Sequence, residues 1–303
     1  LIFRYYDFGT DLYYLPRTLA MRPIFGWPLV EGEIYCAIVT RGLQDSEGRY
    51  LQVAPAFSEA LVQDEPTLEP LLAWLPESPL QTEDIAVASC FTTQHATTEL
   101  RAVADLLDIS ESPVVLELYE PNVHNEFHGI YEAPNFQKGE KPYSEGGQLQ
   151  RTDGGIPIVQ AQEALRFMML VPREHGMPPD GWPMVIYAHG TGGSYESCRS
   201  TARVLNLEGL AVLCFDQPLH GSRGPDPEEP LSNDELVTYS FNFLNVGAGR
   251  MGFRQAAIDI LTLTGMIDAG RFDLAATDTR LQEEVVLDPN RIYLFGHSHG
   301  ALS

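Results

Sequence analysis

The stretch Gly296-His297-Ser298-His299-Gly300 constrains this chain more than any other. A serine stands between glycines two residues before and two after it. Residues 291–295 just upstream carry Ile, Tyr, Leu and Phe, as a buried strand would. Asp288-Pro289-Asn290 is a turn signal that launches such a strand. A strand running into a Gly-flanked serine makes a sharp, strained turn that exposes the hydroxyl beyond the sheet. Any side chain at either glycine would collide with the strand or with the helix that follows.

A second motif gives the first its context. His189-Gly190-Thr191-Gly192-Gly193 closes the apolar run 183–188, about a hundred residues before the serine. From residue 156 onward strands and helices alternate: 165–172, 183–190 and 211–216 read as strands, 194–209 (with Ser194 as N-cap) and 254–267 as helices. That order predicts a mostly parallel sheet with flanking helices, whose strand-end loops meet at one edge. A tetrahedral acyl intermediate needs two N–H donors aimed at its oxyanion. The backbone N–H of His299 is the first candidate, and the glycine-rich loop supplies the second, Thr191 being favoured and Gly192 next. The loop lacks the G-K-[ST] of a phosphate-binding P-loop, and no G-x-G-x-x-G opens the following helix, so no nucleotide cofactor is expected.

Other features have plainer readings. Residues 215–224 hold Asp216, His220 and Arg223, which are expected to build a hydrogen-bonded turn rather than a metal or anion site. Residues 225–253, acidic and then aromatic at Tyr239, Phe241 and Phe243, are read either as part of a substrate-covering flap or as ordinary helix packing. Arg254 and Asp259 are assigned to packing or salt bridges, and His189 to the architecture of its loop. The four cysteines, Cys36, Cys90, Cys198 and Cys214, show no zinc spacing. They are either four buried thiols or two disulfides, and their distribution as one pair in each half points to Cys36–Cys90 and Cys198–Cys214.

Residues 1–110 look β-rich, with strands expected in 1–6, 11–15, 33–40 and 85–93 and helices at 66–75 and 96–108. Residues 111–155 are polar and rich in Pro and Gly, and are read as a linker packing over the domain at 156–303. The net charge is −23, from 42 acidic and 19 basic residues. Such a surface repels nucleic-acid backbones and anionic headgroups, so no nucleic-acid partner is expected. No run is long and apolar enough for a transmembrane segment, and the first residues are not a signal peptide but a strand already under way, so further residues are expected before Leu1.

With these residues in view, the chain resembles the bacterial lipases and esterases that place an Ig-like domain before an α/β-hydrolase domain, including the virulence-factor-type lipases of Gram-negative bacteria. The resemblance rests on Gly32, Tyr35, Asp45 and Gly48 of a strand-and-turn pattern, on Phe91-Thr92-Thr93-Gln94, and above all on the two glycine-rich motifs at 181–193 and 296–300. It implies an α/β-hydrolase fold with an Ig-like N-terminal domain and carboxylic-ester hydrolysis on an ester or lipid substrate by a Ser-Asp-His triad with Ser298 as nucleophile. It also implies a secreted or cell-surface, outer-membrane-associated location, often with a lipid anchor. In that fold the acid and the base follow the serine. Five residues follow Ser298, none of them acidic, and the one histidine among them, His299, directly adjoins the serine; the pair is expected from a second chain or from sequence beyond Ser303, packed beside the strand at 291–295. A serine peptidase of the prolyl-oligopeptidase kind uses the same turn, although no propeller repeat is visible. A non-catalytic surface or adhesion protein with a degenerate hydrolase domain stays open as well.

Overall fold

The computed structural model describes residues 1–7, 9, 15–95, 97–119, 124–274 and 284–303. The strand expected at 11–15 lies outside the described residues, apart from Leu15. The chain divides into two compact units, Leu1–Thr98 and Glu99–Ser303.

In the first unit β1 (Ile2–Tyr6) pairs antiparallel with β2 (Thr18–Arg22), and β3 (Ile34–Thr40) pairs antiparallel with β4 (Ile85–Thr92). Cys36 and Cys90 stand directly opposite in the second pair and form a disulfide. The chain between these strands forms α1 (Pro55–Val62) and α2 (Glu69–Trp74), each with proline in its first turn, where a missing N–H costs nothing. Phe57, Leu68, Leu71 and Leu75 from this helical segment pack with Ile38 and Ile85 of the strands. Helices therefore cover the face on which a sandwich would lay its second sheet. The described residues form two separate strand pairs, and the two facing sheets of an Ig-like domain are not among them.

The second unit is built on one six-stranded sheet. Its strands are β5 (Val114–Tyr119), β6 (His124–Asn135), β7 (Ala161–Pro172), β8 (Trp182–Ala188), β9 (Ala211–Phe215) and β10 (Leu287–Gly296), in the spatial order β10-β8-β9-β7-β6-β5. Two expectations need correction here. The sheet is mixed and not mostly parallel: β10, β8 and β9 run parallel, while β7, β6 and β5 alternate in direction. Residues 111–155 are no linker, since they supply β5 and β6. The cause is the same in both cases. Parallel neighbours need a long crossover, and helices α4 (Arg199–Leu207) and α6 (Val246–Asp268) lie only in the connections β8–β9 and β9–β10. Helix α3 (Thr98–Ala104) precedes β5, and among the described residues no helix separates β5, β6 and β7; these strands fold back on one another.

Both faces of the central strands are covered, which is why their sequences read as continuous apolar runs. Phe167, Met169, Met184, Ile186, Leu213 and Phe215 face Leu263, Met266 and Ile267 of α6 together with Phe272. The alternate residues, Met168, Leu170, Val185, Tyr187 and Val212, face α4, where Ala202 and the Cys198–Cys214 disulfide complete the layer. Ser194 does not cap α4; that helix starts after Cys198. At the outer edge β10 leaves Tyr293, Leu294 and Phe295 about half exposed.

Candidate active site

The carboxyl ends of β8 and β10 lie side by side, because Phe295 pairs with Tyr187 and Gly296 with Ala188 in parallel register. Register alone therefore brings the two glycine-rich motifs together. Beyond Gly296 the chain turns at Ser298 with φ of 52°, a left-handed conformation that serine rarely adopts and that costs roughly 1–3 kcal/mol. Two backbone hydrogen bonds hold it: His297 N–H donates to the Ala188 carbonyl at 3.0 Å, and Gly300 N–H donates to the His297 carbonyl at 3.0 Å. The flanking glycines are there for space. A Cβ on Gly296 would lie 2.5 Å from the Gly300 carbonyl oxygen, and one on Gly300 would run into the Ala188 carbonyl. Ser298 is left exposed and His299 buried.

The loop after β8 lies against this turn. A Cβ on Gly190 would sit 2.9 Å from His297 Nδ1 and 3.2 Å from Ser298 Cβ. Thr191 is half-buried and Gly192 is exposed. Gly192 has φ of +80°, which a side chain would strain, and a Cβ there would lie 2.5 Å from Asn233 Oδ1, at the start of α5 (Asn233–Phe241). The loop closes on itself through Gly193 N–H, which donates to the Gly190 carbonyl at 3.0 Å.

Three imidazoles lie beneath the two motifs. His189 contacts His220 edge-on at 4.9 Å between ring centres, and His220 contacts His299 at 5.4 Å. All three are buried. Burial, reinforced by the neighbouring His220, brings His189 down to about 3 and His299 to about 4, so both are neutral across the physiological range. His189 has both nitrogens engaged, Nδ1 with the Gly190 carbonyl at 2.8 Å and Nε2 with the Gln217 backbone N–H at 3.1 Å. The side chain of His299 packs on Phe253 and Phe241, with ring centres 4.6 and 5.8 Å away.

The remaining motifs fall into structural roles. Asp216 accepts from Tyr195 N–H at 2.8 Å, Arg166 Nε at 3.0 Å and Ser222 N–H at 3.3 Å, and Arg223 reaches Asp259 at 2.6 Å and Glu163 at 3.1 Å. Residues 215–224 are thus a braced turn, and Asp259 is the partner of a buried ion pair. Arg254 pairs with Glu99 at 2.5 Å. The aromatic segment divides: Phe241 lies against His299 and stacks on Phe243, whereas Phe243 and Leu244 face outward. Among the described residues no group of three His, Cys, Asp or Glu side chains is arranged to hold a metal ion, and no helix is long and apolar enough to cross a membrane. Sequence reasoning does not single out Gln217 or Asn233; the available signal for Gln217 is its place at the carboxyl end of a central strand.

No protein-family model matches this chain, and no curated protein matches it. Solved structures similar to it include a Bacteroides fragilis protein assigned as an acetyl xylan esterase (16% identity, 67% of this chain and 46% of that one, TM-score 0.38). Two others are a cold-adapted esterase from an Arctic intertidal metagenomic library (14% identity, 61% and 56%, TM-score 0.35) and an acetyl xylan esterase from Paenibacillus sp. R4 (16% identity, 76% and 57%, TM-score 0.32). The chain spans about half the length of these structures.

Proposed function

We propose that this chain carries the nucleophile and oxyanion loop of a serine carboxylic-ester hydrolase of the α/β-hydrolase type. One observation carries the reading: Ser298, in a left-handed conformation at the end of a parallel strand, faces Gly190 of the loop that ends the neighbouring strand. In this proposal the Ser298 hydroxyl gives its proton to the base and attacks the ester carbonyl, the ester C–O bond breaks and the alcohol leaves with that proton, and water then hydrolyses the acyl-enzyme to release the carboxylic acid and restore the serine. The N–H groups of His299 and Thr191, with Gly192 as second choice in the loop, stabilise the oxyanion.

The acid and the base belong, on this reading, to protein packed beside β10. The exposed apolar side chains Tyr293, Leu294 and Phe295 along that edge support it, because an open apolar edge strand is an aggregation hazard that folded proteins cover. The two disulfides support an oxidising compartment, and with it a secreted or cell-surface protein. A virulence-factor-type lipase with an Ig-like N-terminal domain is the finer form of the proposal, and its support is the set of sequence motifs alone.

The test is covalent labelling by a fluorophosphonate, followed by peptide mapping, in the full-length protein. Label on Ser298, hydrolysis of short p-nitrophenyl esters, and loss of both by several orders of magnitude in Ser298→Ala are the expected results. An unlabelled, inert protein would favour a non-catalytic surface role, and preference for peptide over ester substrates would favour a serine peptidase.

A further inference from the structure

We propose that Gln217 is a positioning residue that fixes the orientation of the oxyanion loop and ties it to the serine turn, a role that rests on the hydrolase reading. Gln217 is fully buried just past the end of β9. In the sheet β9 is separated from β10 by β8, so a residue there is placed to reach the loop after β8 and the segment after β10 together. It does so with three groups. Its backbone N–H donates to His189 Nε2 at 3.1 Å, its side-chain Nε2 donates to the His189 carbonyl oxygen, and its Oε1 accepts from Ser303 Oγ at 3.1 Å.

The first contact fixes a tautomer. A backbone N–H can only donate, so His189 Nε2 is the acceptor and the imidazole proton resides on Nδ1. That proton is donated to the Gly190 carbonyl at 2.8 Å, which also accepts from Gly193 N–H at 3.0 Å. The Gly190 carbonyl and the Thr191 N–H belong to one planar trans peptide and point in opposite directions. Holding the carbonyl inward on His189 therefore holds the Thr191 N–H outward. The opposite tautomer would place a lone pair against that carbonyl and favour a flipped peptide, which would point an oxygen where a donor is needed.

The side-chain contacts act one peptide earlier and across to the turn. The amide group fixes the His189–Gly190 peptide by its carbonyl, and the same amide holds Ser303 at the end of the turn that begins at Ser298. One side chain thereby sets the distance between the two proposed oxyanion donors. Asparagine would be one methylene short of this span. Glutamate would keep the acceptor for Ser303 and place a carboxylate oxygen against the His189 carbonyl.

The experiment compares wild type, Gln217→Met, Gln217→Glu and Ser303→Ala in the full-length protein. It measures kcat and KM on a p-nitrophenyl ester, the rate of fluorophosphonate labelling, inhibition by a trifluoromethyl ketone and the melting temperature. Gln217→Met, equal in length and lacking both side-chain bonds, is expected to lose ~10- to 100-fold in kcat, in labelling rate and in trifluoromethyl ketone affinity, with KM within about twofold. Gln217→Glu should behave like it, and Ser303→Ala should lose about two- to fivefold in kcat. If Gln217→Met does not fold, the last two variants carry the same comparison. Folded variants with wild-type kcat and labelling rate overturn the proposal, as does a parallel change in kcat and KM that leaves trifluoromethyl ketone affinity intact. A wild-type protein inert to the fluorophosphonate overturns the hydrolase reading itself, and the clamp's catalytic role falls with it.

Discussion

Replacing Gly190 by alanine tests whether the loop after β8 lies against the reacting centre. The new methyl would sit 2.9 Å from His297 Nδ1 and 3.2 Å from Ser298 Cβ. Carbon contacts are comfortable at ~3.5–4.0 Å, so about 0.3–0.6 Å must be found. His297 is exposed and can swing aside, but Ser298 is held by the bonds to Ala188 and within its own turn. The loop must therefore retreat, taking Thr191 with it. A misplacement of about 1 Å costs up to ~100-fold in rate, and loss of one oxyanion donor costs ~100- to 1,000-fold. The expected fall in kcat is thus about 10- to 100-fold. Overpacking costs about 1–3 kcal/mol, offset by about 0.4–1 kcal/mol from the stiffer unfolded chain. Net destabilisation of about 1–2 kcal/mol should lower the melting temperature by less than ~8 °C. Steady-state hydrolysis of a p-nitrophenyl ester beside a thermal melt separates the two effects. Gly154→Ala is the control, since its Cβ would meet only Thr152 Oγ1 at an ordinary 3.7 Å. A folded Gly190→Ala protein with kcat within twofold of wild type would refute the placement of this loop at the reacting centre.

Other perturbations probe the scaffold. Burial alone would raise the Glu126 carboxyl, but the bidentate Arg199 guanidinium and the His128 ring more than offset it, bringing the group from 4.5 to about 2. The folded value lies below the unfolded one, so its stabilisation is present above pH 4.5 and is lost as pH falls toward 2. Up to about 3 kcal/mol is at stake, and Glu126→Gln should melt nearer to wild type at pH 2.5 than at pH 6; a gap that does not narrow would contradict the assignment. Asp259→Ala leaves Arg223 buried without its 2.6 Å partner and should cost about 3–5 kcal/mol in urea unfolding, much of it recovered by Asp259→Leu with Arg223→Met. Removing Cys198–Cys214, a link across 16 residues, should cost about 3 kcal/mol, read as a lower melting temperature of the Cys198→Ala, Cys214→Ala double variant without reductant.

What could be read from the sequence follows from where the information sits. Strands β7, β8 and β9 announce themselves because both of their faces are buried, which forces unbroken runs of Met, Leu, Val, Ile and Phe. Strand β6 hides. It carries His124, Glu126, His128 and Asn135, polar residues that suggest a loop, yet all are buried. Arg199 supplies the counter-charge for Glu126 from a helix more than seventy residues away, and Glu163 accepts from Asn135 across the strand pair. A polar residue signals exposure only while its partner is unknown. The N-terminal turn shows the converse. Asp45 Oδ1 does accept from the N–H groups of Glu47 and Arg49, so the D-x-x-G pattern marks a local turn correctly. A local turn does not determine what covers the neighbouring strands, and here helices do.

The candidate site divides along the same line. Gly296, Ser298 and Gly300 are legible because the turn excludes side chains at fixed offsets from the serine, Gly296 against the Gly300 carbonyl of its own turn and Gly300 against the Ala188 carbonyl of the neighbouring strand. His189 and Thr191 are half legible. Their glycine-rich surroundings show where the backbone approaches closely, while the direction of the Thr191 N–H depends on which ring nitrogen of His189 holds the proton. That choice is made by Gln217 through a backbone donor, a group every residue but proline possesses, so no pattern of side chains can report it. The side-chain contacts of Gln217 are as silent, since a glutamine after a strand is unremarkable until His189 and Ser303 are seen on either side of it. Sterics at an active site can be read along the chain, but the orientation of its dipoles is set across the sheet.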